Sequence, residues 1–141
     1  MTQRFRHYSL RSLTGTHLLV INADQAVLSA LAEGEIVEQQ VLTSSEMYVI
    51  EELFKTYPEY CPNEVLLSAM TGKSIDQCQE KVLWGLEEGT ADVVMRPVRN
   101  LLARCRMKLR PFGIEIKSLV NLGYVLVPLK RNIGGMRAVA V

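Results

Sequence analysis

The chain has few of the side chains that carry covalent or metal chemistry. Its three cysteines, Cys61, Cys78 and Cys105, are an odd number at wide spacings, which argues against a disulfide framework and gives no zinc pattern. Only His7 and His17 could join them, so no metal and no cofactor are expected. No apolar run approaches a membrane span, and MTQRFRHYSL lacks the apolar core of a signal peptide. The expectation is a cytoplasmic protein with no membrane partner. No glycine loop precedes a helix, since Gly134-Gly135 lies near the end of the chain, and no nucleophile-elbow or zinc-hydrolase motif occurs. Glu87-Glu88 reads as a solvated helix end rather than a catalytic pair. Enzymatic activity is not expected.

What the chain does have is charge of both signs, sorted by position. Residues 1–94 hold 6 Lys/Arg against 14 Asp/Glu, or −8, and residues 95–141 hold 10 against 1, or +9, which together give the net +1. A concentration of cations at one end fits a polyanion-binding surface and fits a merely solvated face as well; charge alone does not choose between them. With 141 residues and 48% apolar content, the length suits one domain with a real core.

The basic end is organised by Arg96–Pro128. Val98, Leu101, Leu102, Cys105 and Leu109 fall at helical spacing on one stripe, while Arg99, Asn100, Arg104, Arg106, Lys108 and Arg110 occupy the other faces. Pro97 fits a first helical turn, and Pro111 with Gly113 stops the helix. Cys105, on the apolar stripe, reads as a packed thiol rather than a reactive one. Beyond it, Ile114–Lys117 alternates, Asn121 and Gly123 mark a turn, and Tyr124–Val127 returns as an apolar strand.

Upstream, residues 1–41 read as extended structure with turns at Ala23-Asp24 and Glu33-Gly34, folding into a small antiparallel sheet; Val27–Glu33 fits a helix as well. Thr43-Ser44-Ser45-Glu46 is a capping box, with Leu42 and Met47 placed as its hydrophobic staple. It predicts a helix from Ser44, striped by Met47, Ile50, Leu53, Phe54 and Tyr57 and ended by Pro58. A short helix follows from about Asn63 to Thr71 and stops at Gly72. Ser74-Ile75-Asp76-Gln77 is a second capping box, predicting an extra helix to about Glu87 with Ile75, Cys78, Val82 and Leu86 on one face. Trp84 and Leu86 are expected to pack on the core, with a partner surface at Trp84 as the competing reading.

The order of these segments resembles the OmpR/PhoB-type winged-helix DNA-binding domains. The resemblance rests on VRNLLARCRMKLRP followed by GIEIKSLVNLGYVL, and on LTSSEMYVIEELF followed by PNEVLLSAMTG. It implies an α+β winged helix-turn-helix: an N-terminal antiparallel sheet over 1–41, a helical core over 43–110 with three core helices plus an inserted one, and a C-terminal β-hairpin wing over 114–128. Residues 1–128 then form a single domain. Residues 129–141 form a tail, either basic and phosphate-seeking or adding a strand through Met136–Val141.

The function implied is sequence-specific binding of double-stranded DNA by a stand-alone transcription regulator. Asn100 and Arg104, with Ala103 beside them, are the residues for base edges, because Asn pairs with adenine and Arg with guanine. Arg99, Arg106, Lys108, Arg110 and Lys117 are assigned to phosphates, and Thr43 or Ser44 offers a helix N-terminus to another. The family's arginine before the wing's Gly-Tyr is replaced here by Val120 and Asn121. In that family the connection before the recognition helix can touch RNA polymerase. The alternative function is therefore a protein–protein interaction module on the same scaffold, binding RNA polymerase or another regulator. Control through partner binding or self-association as a homodimer is open on either reading.

Overall fold

Strand alternation decides which side of the N-terminal sheet meets the helices. In a computed structural model, which describes residues 4–129, β1 (Phe5–Tyr8), β2 (Leu18–Asn22), β3 (Val27–Ala32) and β4 (Glu35–Val41) form an antiparallel sheet in the order β1-β2-β3-β4. A one-turn helix, α1 (Arg11–Thr14), which the sequence reading did not include, joins the first two strands. Val27–Glu33 is not helical: β3 takes it through Ala32, and Glu33 and Gly34 turn the chain at positive φ. Pairing on both sides uses its backbone groups in a ladder, which decides a pattern that period alone left ambiguous.

One face of the sheet buries Leu19, Ile21, Leu28 and Ala30 in the core. The outer face follows from the register as three rows across the strands: Phe5, Asn22, Val27 and Val41; His7, Val20, Ser29 and Gln39; Leu18, Leu31 and Ile36.

The helices start where their capping boxes put them. The Thr43 hydroxyl accepts from the Glu46 N–H, and the Glu46 carboxylate accepts from the Thr43 N–H, at the head of α2 (Ser44–Thr56). Leu42 and Met47 are both buried, as a staple across that cap requires. A two-residue strand, β5 (Cys61–Pro62), leads into α3 (Asn63–Thr71), and Ser74 with Gln77 repeats the box before α4 (Ile75–Glu88). Gly72 and Gly89 end α3 and α4 in the left-handed region, which costs glycine little and other residues more.

α5 spans Ala91–Leu109, so Pro97 lies inside it rather than in its first turn. The helix closes its first turn upstream, where the Thr90 carbonyl accepts from the N–H groups of Val93 and Val94 at 3.0 and 3.1 Å. Pro97 forgoes one bond to the Val93 carbonyl; both residues are exposed, on the solvent side of the helix. A 3₁₀ turn at Arg110–Phe112 and a left-handed Gly113 deliver the chain into a hairpin of β6 (Ile114–Leu119) and β7 (Gly123–Pro128). β5 adds to its edge, giving a three-stranded sheet in the order β5-β7-β6. The architecture is thus α+β. None of the described helices is long and apolar enough to cross a membrane. The tail proposed for residues 129–141 lies, beyond Leu129, outside the described residues.

α4 corrects a second expectation. It buries only Cys78, Val82 and Gly85, the stripe facing its neighbours, whereas Trp84 is 60% exposed and Leu83, Leu86 and Ile75 are also exposed. Trp84 therefore does not pack on the core, because successive helical residues diverge by about 100° and position 84 falls off a stripe set by 78, 82 and 85. Trp84→Ala is expected to change the unfolding free energy by no more than about 0.5 kcal/mol, as at other surface positions. Leu102→Ala, at the fully buried centre of α5, should cost about 2–5 kcal/mol. Urea denaturation of the two variants beside the wild type checks both, and a large loss from Trp84→Ala would overturn this placement of α4.

Candidate nucleic-acid interface

The buried stripe of α5, made of Met95, Val98, Leu101, Leu102, Cys105 and Leu109, seats the helix against the core. Its 3.6-residue period then turns Arg96, Arg99, Asn100, Ala103, Arg104, Met107 and Arg110 toward solvent. Asn100 and Arg104, the pair assigned to base edges, are both exposed and one helical turn apart on this surface. Arg110 and Lys117 are exposed as well, the second on β6.

The other assigned cations are held by the protein. Arg99 donates from Nη2 to Asp92 Oδ1 at 2.9 Å and to the Asp92 carbonyl at 3.3 Å, two turns back on the same helix. Arg106 donates from Nε to the Ile116 carbonyl at 3.2 Å and so fastens the hairpin to the helix. Lys108 donates from Nζ to Glu46 Oε1 at 2.6 Å and to the Val41 carbonyl at 2.8 Å. Lys108 is only partly exposed and is occupied by internal acceptors, which makes it a poorer phosphate ligand than Arg110.

Glu46 is the residue that periodicity did not single out. Only 1% exposed, it receives the Thr43 N–H at 2.9 Å, Lys108, and Arg104 Nε at 3.4 Å. Burial alone would push its carboxyl up, but the hydrogen bonds from Lys108, the Thr43 backbone and Arg104 outweigh that and hold it below the usual carboxylate range. The Thr43 N–H is spent on this box and its hydroxyl oxygen accepts there, which leaves the hydroxyl proton of Thr43 and the side chain of Ser44, both exposed residues, at the helix start. The sequence did carry a signal for Glu46, its place at the third position of a capping box. That signal announces a helix start and says nothing of the two cations about sixty residues away.

Met107 was also not anticipated: it is 68% exposed and stands one turn beyond Arg104 and Ala103. An apolar side chain amid cations on a helix face is suited to the methyl group of thymine. At the far end of the hairpin, Val120 and Leu122 are exposed and Asn121 takes φ +61°. The turn lies beside a cavity of about 260 Å³ between α4, α5 and β7, with Asn63, Arg99 and Tyr124 in its walls.

The three cysteines are free and buried. Burial pushes the thiols of Cys61 and Cys105 up to about 12, which makes them packing groups rather than nucleophiles. No cluster of three or more His, Cys, Asp or Glu among the described residues could hold a metal ion.

No family model matches the chain, and no curated protein matches its sequence.

The depressed carboxyl of Glu46 makes stability depend on pH in a definite direction. A group whose folded value lies below its unfolded value contributes stability above the unfolded value, and that contribution is lost as pH falls through the folded one. Unfolding free energy should therefore drop as the pH is lowered through and below the ordinary glutamate value of 4.5. Glu51 adds to the slope in the same direction, since hydrogen bonds from Arg6 and Tyr8 outweigh its burial. Glu46→Gln should cost about 1.5–3 kcal/mol at pH 7, the usual worth of hydrogen bonds to a charged group, and flatten the acid slope. Denaturant titrations at several pH values measure both quantities. An unchanged acid slope in the variant would remove Glu46 as its source.

Proposed function

We propose that this protein is a sequence-selective double-stranded DNA-binding transcription regulator of winged helix-turn-helix form, similar to OmpR/PhoB-type domains, with α5 as the helix that enters the major groove. The observation that carries this reading is the solvent face of α5, where Arg96, Arg99, Asn100, Arg104 and Arg110 are exposed together beside a hairpin bearing exposed Lys117. After Asp92, α5 contains no acidic residue, and Glu115 is the one carboxylate side chain between 95 and 141. A helix about 10–12 Å across with its side chains fits a major groove about 12 Å wide.

The roles divide by how each side chain is held. Arg104 keeps its Nη groups for a guanine edge while Glu46 holds its Nε. A guanidinium restrained at one nitrogen loses less freedom on making a bidentate contact. Asn100, one turn earlier, suits adenine. Arg110 and Lys117 contact phosphates, as does Arg99 across its Asp92 pair. Arg106 and Lys108 position the hairpin and the helix more than they bind. The hairpin turn, with Val120 and Asn121 where an arginine would enter a minor groove, contributes little readout there.

A second reading has an observation of its own. Leu83 and Trp84 are exposed side by side on α4, with Glu80 and Glu87 one turn before and after. An exposed aromatic with an aliphatic neighbour inside a polar rim is the make-up of a protein contact. On this reading the chain is an interaction module that docks RNA polymerase or another regulator.

Duplex binding measured at two or more salt concentrations separates the readings. Wild-type affinity should fall steeply with salt, because released counterions drive phosphate binding. Arg104→Ala should weaken the preferred site by about 1–3 kcal/mol and relax preference at one or two base pairs. Arg110→Ala should weaken all duplexes alike and lower the salt slope by about one, and Lys108→Ala should change the slope less. Trp84→Ala should leave duplex binding intact. Wild-type protein without salt-sensitive duplex binding would leave the interaction module as the reading.

A further inference from the structure

Among the described residues, the three rows that make up the outer face of the N-terminal sheet carry no Asp, Glu, Lys or Arg. Among the described residues, the shallow depression on it is lined by Phe5, Val20, Val27, Leu31, Ile36 and Val41, together with neutral polar groups and His7. Phe5 is 50%, Ile36 58% and Val41 67% exposed, and they lie on the two edge strands. Near the middle, Gln39 donates to the Ser29 hydroxyl at 3.0 Å, a neutral pair. An antiparallel sheet with a solvated face ordinarily alternates apolar with charged or polar residues, so a face this poor in charge is one made to be covered.

We infer that this face is the contact surface of a two-fold dimer of the chain. In a two-fold contact every residue meets the same patch on its copy, so a charged group near the axis faces its own like. A face without formal charge avoids that repulsion, whereas a contact with a different protein gains selectivity from complementary charges. The contrast with the rest of the chain, −8 over residues 1–94 and +9 over residues 95–141, makes neutrality here specific to this face. The size also fits a modest dimer. Four strands about 4.8 Å apart and four to seven residues long present roughly 350 Å² in projection. Two such faces with their side-chain relief bury on the order of 1,000 Å², the lower end for specific association. The dimer is therefore weak, concentration-dependent and apolar, and it does not rest on DNA binding.

Sedimentation or light scattering of the full chain over a range from micromolar to high-micromolar concentration tests this. The expected result is a rise in mass from 15.9 kDa toward twice that value, retained at salt that abolishes duplex binding. Ile36→Lys combined with Val41→Lys should abolish the rise, and so should Phe5→Lys on the opposite edge, while circular dichroism stays unchanged. Val120→Lys, at an 82% exposed position on the hairpin turn, should leave it intact. A wild type that stays monomeric at every concentration overturns the inference, whether another segment or nothing covers the face. Doubling that survives the lysines at 36 and 41 in a folded protein overturns it equally.

Discussion

A single buried carboxylate ties the basic helix to the rest of the molecule. Glu46 caps α2 through the Thr43 N–H and receives Lys108 and Arg104 from α5. A buried charge is costly unless it is paired and hydrogen-bonded, and this one meets both conditions only when α2 and α5 are correctly docked. Lys108 extends the tie to the Val41 carbonyl at the end of β4. The sheet, the scaffold helix and the basic helix thus share one small polar cluster. Outside it and the Arg106 bond to the Ile116 carbonyl, the buried stripe of α5 is held by apolar contacts, which have no direction of their own. The cluster also limits which cations on α5 are free, since satisfying Glu46 uses Lys108 and restrains Arg104.

The hairpin is set by a different constraint, close backbone approach. A Cβ at Gly123 would lie 2.0 Å from the Cys61 carbonyl oxygen, a clash no side chain can relieve because the neighbour is backbone. Gly123 therefore lets β7 pair with β5, and the Asn63 N–H adds a bond to the Leu122 carbonyl at 3.0 Å. Since β5 runs directly into α3, the hairpin is registered on the helical core at one end. At the other, Arg106 reaches the Ile116 carbonyl and the Leu129 N–H reaches the Gly113 carbonyl. Fixed at both ends, the hairpin keeps a set position beside α5.

Among the described residues, three surfaces differ in chemistry. The solvent face of α5 is cationic, Leu83 and Trp84 on α4 are surrounded by Glu80, Lys81 and Glu87, and the outer sheet face mixes apolar residues with polar ones and carries no Asp, Glu, Lys or Arg.

The sequence by itself determined the ends of elements and their periods. Thr43 and Ser74 start α2 and α4, Gly72 and Gly89 stop α3 and α4, Gly113 closes the turn after α5, and the stripe from Val98 to Leu109 names the buried side of α5. These are local matters, decided by hydrogen bonds and sterics within a few residues. Only the tertiary structure decided whether a given side of an element is covered. Trp84 is exposed because none of the described elements covers that side of α4, and Pro97 is interior because the helix closes its first turn at Thr90. The pairing of β5 with β7, and the meeting of Glu46 with Arg104 and Lys108, join residues about sixty positions apart. Composition and spacing describe each partner in such a contact, but the contact depends on how the whole chain folds back on itself, which no local pattern contains.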